Sequence, residues 1–207
     1  TFRPHVSTVT NLAPDHLDYM DSLEAYYESK MRIYENTNAD DYFIRNVDDE
    51  NVVKYAQNIP CHVIDFSLKR KDVDLYKDDQ YAYYKDTQLF KLSDLKIVGE
   101  FNCGNAMMAS CMAYLMGVSL FNIQEVIREF SGVEHRIEYV DTIDNVRFYN
   151  DSKATNTHAA CAGLSAFEKN VILLCGGKDK HISFDDLKQY DAVVKKCISF
   201  GQTKDKF

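Results

Sequence analysis

Near the start of the chain, an acid, a histidine and a lysine are placed where they could hold a metal ion. Asp15 and His16 follow a strand-like stretch, a position at which α/β proteins bind ligands. Lys30 lies in the apolar stripe of a predicted helix, seven residues after Leu23. A neutral lysine amine can react with carbon dioxide to give a carbamate, whose two hard oxygens suit Mg²⁺. The spacing also fits a lysine that extends its charged end into water and a hydrogen-bonded loop histidine.

Two asparagines precede a stretch that is apolar nearly all round. Asn102 and Asn105 stand three residues apart in "GEFNCGN" (99–105), at the N-terminus of a buried helix predicted over 105–117. Side-chain amides can pair with the edge of a purine, and a helix N-terminus favours phosphate. Plain helix capping by asparagine is the alternative.

An arginine stands in "EHR" (134–136), close to a predicted domain boundary. The guanidinium fork matches phosphate geometry, so Arg136 could bind a phosphate group. Alternatively, Arg136 could form a surface salt bridge with Glu134 or Glu138.

Two charged loops follow two strand-like runs in the last third of the chain. In "FYNDSKATNTHAA", Asp151 could accept hydrogen bonds from ribose hydroxyls, while Lys153 and Thr155 could hold an anion near a helix start. The second loop, "GGKDKH" (176–181), includes Lys180. Because the ends of parallel strands meet at one edge of a sheet, we expect both loops to face one crevice. Solvated surface loops are the alternative.

The elements that must position these residues can be predicted from hydrophobic periodicity. The predicted segments of the first part are strands over 5–12, 41–47 and 61–68, a β-meander over 72–98, and helices over 22–34, near 50–57 and over 105–117. A further helix is predicted from Asn122, with Asn122 and Glu125 as a capping box and Gly132 as its end.

The pattern changes after Gly132, which predicts a domain boundary near residue 132. The stretch "RIEYVDTIDNVRFYND" predicts a hairpin that turns at Asp144-Asn145. The predicted segments that follow are a helix over 156–168, a strand over 171–175, a helix near 184–195 and a strand over 197–200. Alternation of strand and helix around a buried strand implies an α/β fold with a parallel sheet.

Composition narrows the classes of function. The 207 residues carry a net charge of −8, which argues against a general nucleic-acid or anionic-membrane surface. The six cysteines form no C-x-x-C pair and mostly lie in apolar runs, which is typical of free thiols in a reducing compartment. No apolar stretch is long enough to span a bilayer, and no signal peptide is visible.

Five motifs in register resemble those of the Mur ligases. They are "DHLD…SKMRIYEN", "GEFNCGN", "EHRIEYV", "NDSKATN" and "LLCGGKDK". The "NDSKATN" stretch is similar to the branch of that family that adds D-glutamate. The resemblance implies an internal part of a three-domain enzyme: the second half of a P-loop-type central ATPase domain (1–132) and the first half of a Rossmann-like C-terminal domain (133–207). The N-terminal domain, the G-x-x-G-K-[ST] phosphate loop and the end of the C-terminal domain are absent from this stretch.

The resemblance also implies roles for the candidate residues. ATP and Mg²⁺ would be the cofactors, with Lys30 carbamylated. The metal ligands would be His16 and Lys30, which act in catalysis together with Lys153. The implied ATP contacts are Asn102, Asn105, Arg136 and Asp151, and the implied substrate contacts are Asp15, Thr155 and Lys180.

The implied reaction is amide formation driven by ATP, during synthesis of a peptidoglycan precursor. D-Glutamate would be added to UDP-N-acetylmuramoyl-L-alanine through an acyl phosphate, with release of ADP and phosphate. The expected enzyme is a monomer of the bacterial cytoplasm, without a nucleic-acid partner or membrane insertion, and this stretch alone is expected to be inactive.

Two alternatives stay open. A folylpolyglutamate-synthetase-like ligase would use ATP in the same way, although it would lack "NDSKATN". A nucleotide-binding remnant without catalysis is the other, because Phe101 stands where family members usually have histidine. The "GGKDKH" loop also departs from the commoner "GGLDRG" form, which weakens the assignment of Lys180 more than that of Asp151.

Overall fold

The computed structural model of the protein describes residues 2–14, 20–179 and 183–206. The chain forms two compact units, one of Thr1–Lys96 with Asn102–Phe130 and one of Ile97–Phe101 with Ser131–Phe207. Assignment of the two halves to two particular ligase domains stays a prediction. None of the helices in the described ranges is long and apolar enough to cross a membrane.

The first unit contains a six-stranded mixed sheet whose strands are adjacent in chain order. Its strands are β1 (Val6–Val9), β2 (Tyr42–Asn46), β3 (His62–Phe66), β4 (Leu75–Lys77), β5 (Tyr81–Tyr84) and β6 (Thr87–Lys91). β1, β2 and β3 are parallel, and β4 joins them through the single pair Phe66 and Leu75. β4, β5 and β6 then form an antiparallel meander. The α/β class and the meander are therefore confirmed.

Helices cover this sheet and close its core. They are α1 (Leu23–Met31), α2 (Glu50–Tyr55), α3 (Glu100–Leu115) and α4 (Leu120–Glu129), with 3₁₀ turns at Arg32–Tyr34 and Leu92–Asp94. Ser22 caps α1 by accepting a hydrogen bond from the Ala25 amide. α1 buries Tyr26, Tyr27 and Met31 in the same cluster as Phe43 of β2. Helix spacing thus places one face of α1 against the sheet.

Helix α3 begins earlier than predicted. It starts at Glu100 rather than at residue 105, so the "GEFNCGN" stretch is mostly inside the helix rather than in front of it. Gly104 allows a close approach to β3, because a Cβ there would lie 3.1 Å from the Phe66 ring. The predicted end at Gly117 is close to the observed end at Leu115.

Helix α4 also begins earlier than predicted. Its N-cap is Ser119, whose hydroxyl accepts a hydrogen bond from the Asn122 amide. The predicted capping box of Asn122 and Glu125 was wrong, because Asn122 already lies in the first turn. The helix ends at Glu129, before the predicted stop at Gly132.

In its described residues, the second unit contains two separate two-stranded sheets and one α-helix. The elements are β7 (Glu138–Ile143), β8 (Val146–Asn150), α5 (Thr157–Leu164), β9 (Val171–Gly177) and β10 (Val194–Gly201). β7 and β8 form the predicted hairpin, and Asp144 and Asn145 both have the positive φ of a type I′ turn. β9 and β10 are parallel.

Four predictions for this unit need correction. The helix expected near 184–195 is a 3₁₀ segment, Asp185–Tyr190. The helix expected over 156–168 ends at Leu164, and β9 extends through Gly176 and Gly177. β8 does not share a sheet with β9, so the argument that placed both charged loops at one edge of a parallel sheet was wrong.

Candidate active site

Asp151 is the most constrained of the predicted site residues. It follows β8, and its Oδ1 accepts a hydrogen bond of 3.1 Å from the Ile137 amide. On its other side, a Cβ on Gly163 of α5 would lie 2.5 Å from its Oδ2, so a larger residue there would force the carboxylate to shift. Burial raises the pKa of Asp151, against the opposing effects of the Ile137 N–H and the Arg136 charge. The carboxylate is thus held in place and partly desolvated.

The "EHR" loop is tied to the "NDSK" loop by backbone and side-chain contacts. The Lys153 amide donates to the His135 carbonyl at 3.1 Å. The His135 Nδ1 lies 2.8 Å from the Asn150 Nδ2. His135 and Ile137 both have positive φ, so the loop turns sharply around Arg136. Two stretches that are separated by a whole hairpin therefore come together beside Asp151.

Arg136 has an exposed side chain in this tight loop. Its charge acts on Asp151, as the lowering contribution to the Asp151 pKa shows. Among the described residues, no carboxylate forms an ion pair with Arg136, and Glu138 instead lies 3.6 Å from His135 Nδ1. The guanidinium is therefore available to an anionic ligand.

A cleft of about 140 Å³ lies between the second part of the "NDSKATN" stretch and the "GGK" loop. Its lining includes Thr155, Asn156, Cys175, Gly176 and Lys178. The two charged loops thus meet as predicted, although their strands belong to different sheets. They meet because α5 returns the chain from β8 towards β9.

The start of α5 opens onto this cleft. The Asn156 side chain caps the helix by accepting a hydrogen bond of 2.8 Å from the Ala159 amide. Thr157, the first residue of the helix, lines the cleft. Lys153 and Lys178 are exposed. A helix N-terminus and a lysine in one cleft create a positive environment for a carboxylate or a phosphate.

Lys30 is half-buried near the end of α1. Its Nζ lies 4.6 Å from the centroid of the Tyr26 ring, a cation–π contact. This geometry fits the alternative interpretation of Lys30, in which its aliphatic stem packs against the protein and its charged end stays near the surface. Asp15, His16 and Lys180 lie outside the described residues. Among the described residues, no group of three or more His, Cys, Asp and Glu side chains could hold a metal ion.

Asn102 and Asn105 lie in the first two turns of α3, Asn102 half-buried and Asn105 exposed. They belong to the first compact unit with Lys30, whereas Arg136, Asp151, Lys153 and Thr155 belong to the second. A larger cleft of about 220 Å³ in the first unit, at the starts of β2 and β3, contains none of the predicted site residues.

Sequence reasoning missed Gly163 and the Ile137 amide, which together fix Asp151. A weak signal for Gly163 exists, because α5 consists largely of small residues, and such helices allow close approach. The Ile137 amide carries no signal of its own, since its role depends on a left-handed backbone conformation.

Comparison with known families places residues 1–113 in the Mur ligase middle domain. Two curated relatives are UDP-N-acetylmuramoylalanine–D-glutamate ligases. That of Caldanaerobacter subterraneus subsp. tengcongensis is 38% identical over 207 residues, and that of Geobacillus sp. (strain WCH70) is 41% identical over 207 residues. Each match covers 99% of this chain and 46% of the relative, so the chain spans about half the length of these relatives.

Solved structures give the same fold. A crystal structure of MurF from Acinetobacter baumannii matches with a TM-score of 0.73 and 17% identity, over 97% of this chain and 47% of that one. MurF from Thermotoga maritima in complex with ADP matches with a TM-score of 0.69 and 17% identity, over 95% of this chain and 52% of that one. At these identities the likeness concerns the fold alone.

Proposed function

The chain belongs to the Mur ligase family, and we propose that the protein it comes from joins D-glutamate to UDP-N-acetylmuramoyl-L-alanine at the expense of ATP. The observation that carries this proposal is the meeting of the "NDSKATN" and "GGK" loops in one cleft. The same "NDSKATN" stretch begins with a carboxylate, Asp151, that is held between the Ile137 amide and Gly163. The D-glutamate ligases at 38% and 41% identity support the choice of amino acid. We propose a monomeric enzyme of the bacterial cytoplasm.

In this proposal, Asp151 and Arg136 bind the nucleotide. A half-buried carboxylate with a backbone donor on one oxygen gains further stabilisation from hydroxyl donors, and a ribose supplies two. Arg136, exposed beside it, would bind a phosphate of the same nucleotide. Asn102 and Asn105 on α3 would contact the purine through their side-chain amides.

The reaction would proceed through an acyl phosphate. The terminal phosphoryl group of ATP transfers to the carboxylate of UDP-N-acetylmuramoyl-L-alanine, and ADP leaves. The amine of D-glutamate then attacks the acyl carbon, phosphate leaves, and an amide forms. Lys153 would stabilise the negative charge near the reacting groups, while Thr155 and Lys180 would hold D-glutamate. Asp15 would contribute to substrate binding near His16.

His16 and a carbamate on Lys30 would hold Mg²⁺. The ion, when bound, supplies positive charge that polarises phosphoryl oxygens. Lys30 fits this role in position, near the end of α1 and half-buried, but its amine now contacts the Tyr26 ring. Carbamylation converts the cation into an anion, so the contact with the negative face of the ring would be lost.

The test measures phosphate release from ATP by the full-length protein, with UDP-N-acetylmuramoyl-L-alanine and a panel of amino acids. We expect release that depends on D-glutamate, with a product of the corresponding mass. Release with another amino acid would assign the protein to a different ligase of the family. No release with any of them would favour a nucleotide-binding remnant.

The substitution Lys30→Ala tests the proposed role of Lys30 directly. We expect it to abolish ligation, and short-chain carboxylates to restore part of the activity by replacing the carbamate. Lys54→Ala is the matched control, because Lys54 makes a similar contact with the Tyr55 ring, 5.0 Å from its centroid, at the end of α2. Full activity of Lys30→Ala, or equal losses in both variants, would contradict the role of Lys30.

A further inference from the structure

Two cysteines on neighbouring strands of the second unit place their sulfur atoms close together. Cys175 of β9 and Cys197 of β10 have their Sγ atoms 3.5 Å apart, and both thiols are free. Cys175 is half-buried and Cys197 is exposed. The remaining four cysteines stand at positions 61, 103, 111 and 161.

The register of the two strands disfavours a direct disulfide. Cys197 is paired with Leu173 and Cys175 with Ser199, so the two cysteines are diagonal neighbours, two residues out of register. Diagonal neighbours lie farther apart than directly paired residues, which disfavours the Cα separation of about 5.5–6 Å that a disulfide prefers. Close backbone packing prevents an easy shift, because a Cβ on Gly176 would lie 2.0 Å from the Phe200 carbonyl oxygen.

An atom that binds both sulfurs fits the pair better. A soft centre such as zinc sits about 2.3 Å from each sulfur, which spans a gap of this size without backbone movement. Zinc, however, takes four ligands in structural sites. In the described part of the chain, no third His, Cys, Asp or Glu joins these thiols to form a metal site. A centre that is satisfied by two sulfurs fits this pair of thiols.

We propose that Cys175 and Cys197 form a dithiol site for trivalent arsenicals that carry one organic group. The arsenic of R–As=O forms one bond to each sulfur, the two S–H bonds break, and the arsenical oxygen leaves as water with both protons. Arsenic stays trivalent, so the reaction needs no oxidant.

The protonation of Cys175 slows its attack on any electrophile, so the preference for a bridging arsenic rests on the two-sulfur geometry. Burial, together with the hydrogen bond to Cys197, raises the pKa of Cys175 to about 12, so it is a neutral thiol at pH 7. Alkylating reagents need the thiolate, which is scarce at such a site. The condensation removes both thiol protons in the leaving water.

The arsenic adduct of Cys175 and Cys197 would form at the cleft of the second unit. Cys175 lines the cleft together with Thr155, Asn156 and Gly176. An organic group on a bridging arsenic would stand at the wall of that cleft. We therefore expect the adduct to inhibit the full-length protein, an expectation that rests on the proposed function, whereas formation of the adduct does not.

The experiment treats the full-length protein with phenylarsine oxide and maps the adduct by mass spectrometry of proteolytic peptides. We expect one phenylarsenic group to join the peptides that contain Cys175 and Cys197, with loss of one water. A small dithiol should remove it, and a monothiol in equal excess should not. Cys175→Ser and Cys197→Ser should each lose the bridged adduct.

Cys161→Ser is the matched control, because the Cys161 thiol is buried and donates to the Asp186 carbonyl away from the pair. This variant should keep the bridged adduct. Failure of the folded wild-type protein to form the bridge, or its formation on other cysteines in Cys197→Ser, would overturn the proposal. Ligase activity is measured separately, so a protein without ligase activity still tests the site through the adduct mass.

Discussion

Two aspartates, a buried one in the first compact unit and a half-buried one in the second, have pKa values shifted in opposite directions. Asp41 precedes β2, its side chain is 2% exposed, and it accepts hydrogen bonds from Arg3 and from the Asn38 amide, with the His5 ring 3.0 Å away. Asp151 follows β8 and has the Ile137 amide as its backbone donor. The Arg3 and His5 contacts hold the pKa of Asp41 well below its usual range, whereas burial raises that of Asp151.

This difference separates a carboxylate that stabilises the fold from one that can bind a ligand. The donors of Asp41 belong to residues before β1 and in the preceding turn, so its charge fastens the starts of β1 and β2 together. For Asp151, the hydrogen bond from the Ile137 amide does not offset the loss of hydration, so hydrogen-bond donors of a ligand would stabilise its charged form. A carboxyl group whose pKa is raised, as that of Asp151 is, therefore indicates the candidate site.

The largest expected effect comes from Gly163→Ala. The new Cβ would meet the Asp151 Oδ2 at 2.5 Å, so the carboxylate must shift, and we expect the shift to weaken its hydrogen bond with the Ile137 amide. Loss of a hydrogen bond to a charged group costs about 1.5–3 kcal/mol, so we expect KM for ATP to rise about tenfold or more. Steady-state kinetics of the full-length protein, tested for the proposed ligase activity, measures KM for ATP.

The control for Gly163→Ala is the same substitution in an Asp151→Ala background. With the carboxylate already removed, the added methyl group has little to displace, and KM should barely change further. Equal effects in both backgrounds would show that Gly163 acts on α5 packing rather than through Asp151.

The second test uses acid titration of the two aspartates. The unfolded chain holds the Asp41 proton more tightly than the folded chain, so this residue stabilises the fold above about pH 4 and less so as the pH falls below that. Asp151 behaves oppositely: the folded chain holds its proton more tightly, so its contribution weakens as the pH rises from about 4.

We therefore expect Asp41→Asn and Asp151→Asn to change the slope of unfolding free energy against pH in opposite directions. Asp41→Asn should also lower stability near pH 7, since the Arg3 contact becomes weaker. Denaturant unfolding at several pH values measures the slopes, and carboxyl carbon NMR measures the two pKa values. If both substitutions change the slope in the same direction, the two aspartates do not contribute oppositely to the pH dependence of stability.

The smallest expected effect compares the two helix caps. Ser22→Ala and Asn156→Ala each remove a side-chain acceptor for a first-turn amide, at 3.1 Å from Ala25 and at 2.8 Å from Ala159. Each should cost about 1 kcal/mol of unfolding free energy. Because Asn156 lines the cleft, the proposed function predicts that its variant also weakens D-glutamate binding, measured as KM, whereas Ser22→Ala serves as the control with unchanged KM.

Local sequence signals predicted much of the fold. The Asp144-Asn145 turn was predicted because two consecutive residues that tolerate positive φ are rare outside such hairpins. The start of α4 was missed because Ser119 competes with Asn122 as a cap, and both types accept hydrogen bonds from amides. Residues 184–195 have helical spacing, yet the observed segment is a 3₁₀ turn of six residues.

The candidate site was harder to predict because its geometry depends on contacts between distant residues. The identities of Arg136, Asp151, Lys153 and Thr155 were proposed from their motifs, and their roles stay predictions. The space that Gly163 leaves for Asp151 and the strand register that brings Cys175 near Cys197 depend on tertiary packing. No local pattern encodes such distances.

The type I′ hairpin has a consequence for the order in which the molecule folds. Ile137 and Asp151 are only 14 residues apart in the chain, and the hairpin between them can close in about 1–10 μs. Asp41 instead joins Arg3 across 38 residues, together with a helical crossover between parallel strands. Closing that longer loop costs more chain entropy and is slower. During refolding, the hairpin and the Ile137–Asp151 contact that it closes should therefore form before the parallel sheet of the other unit.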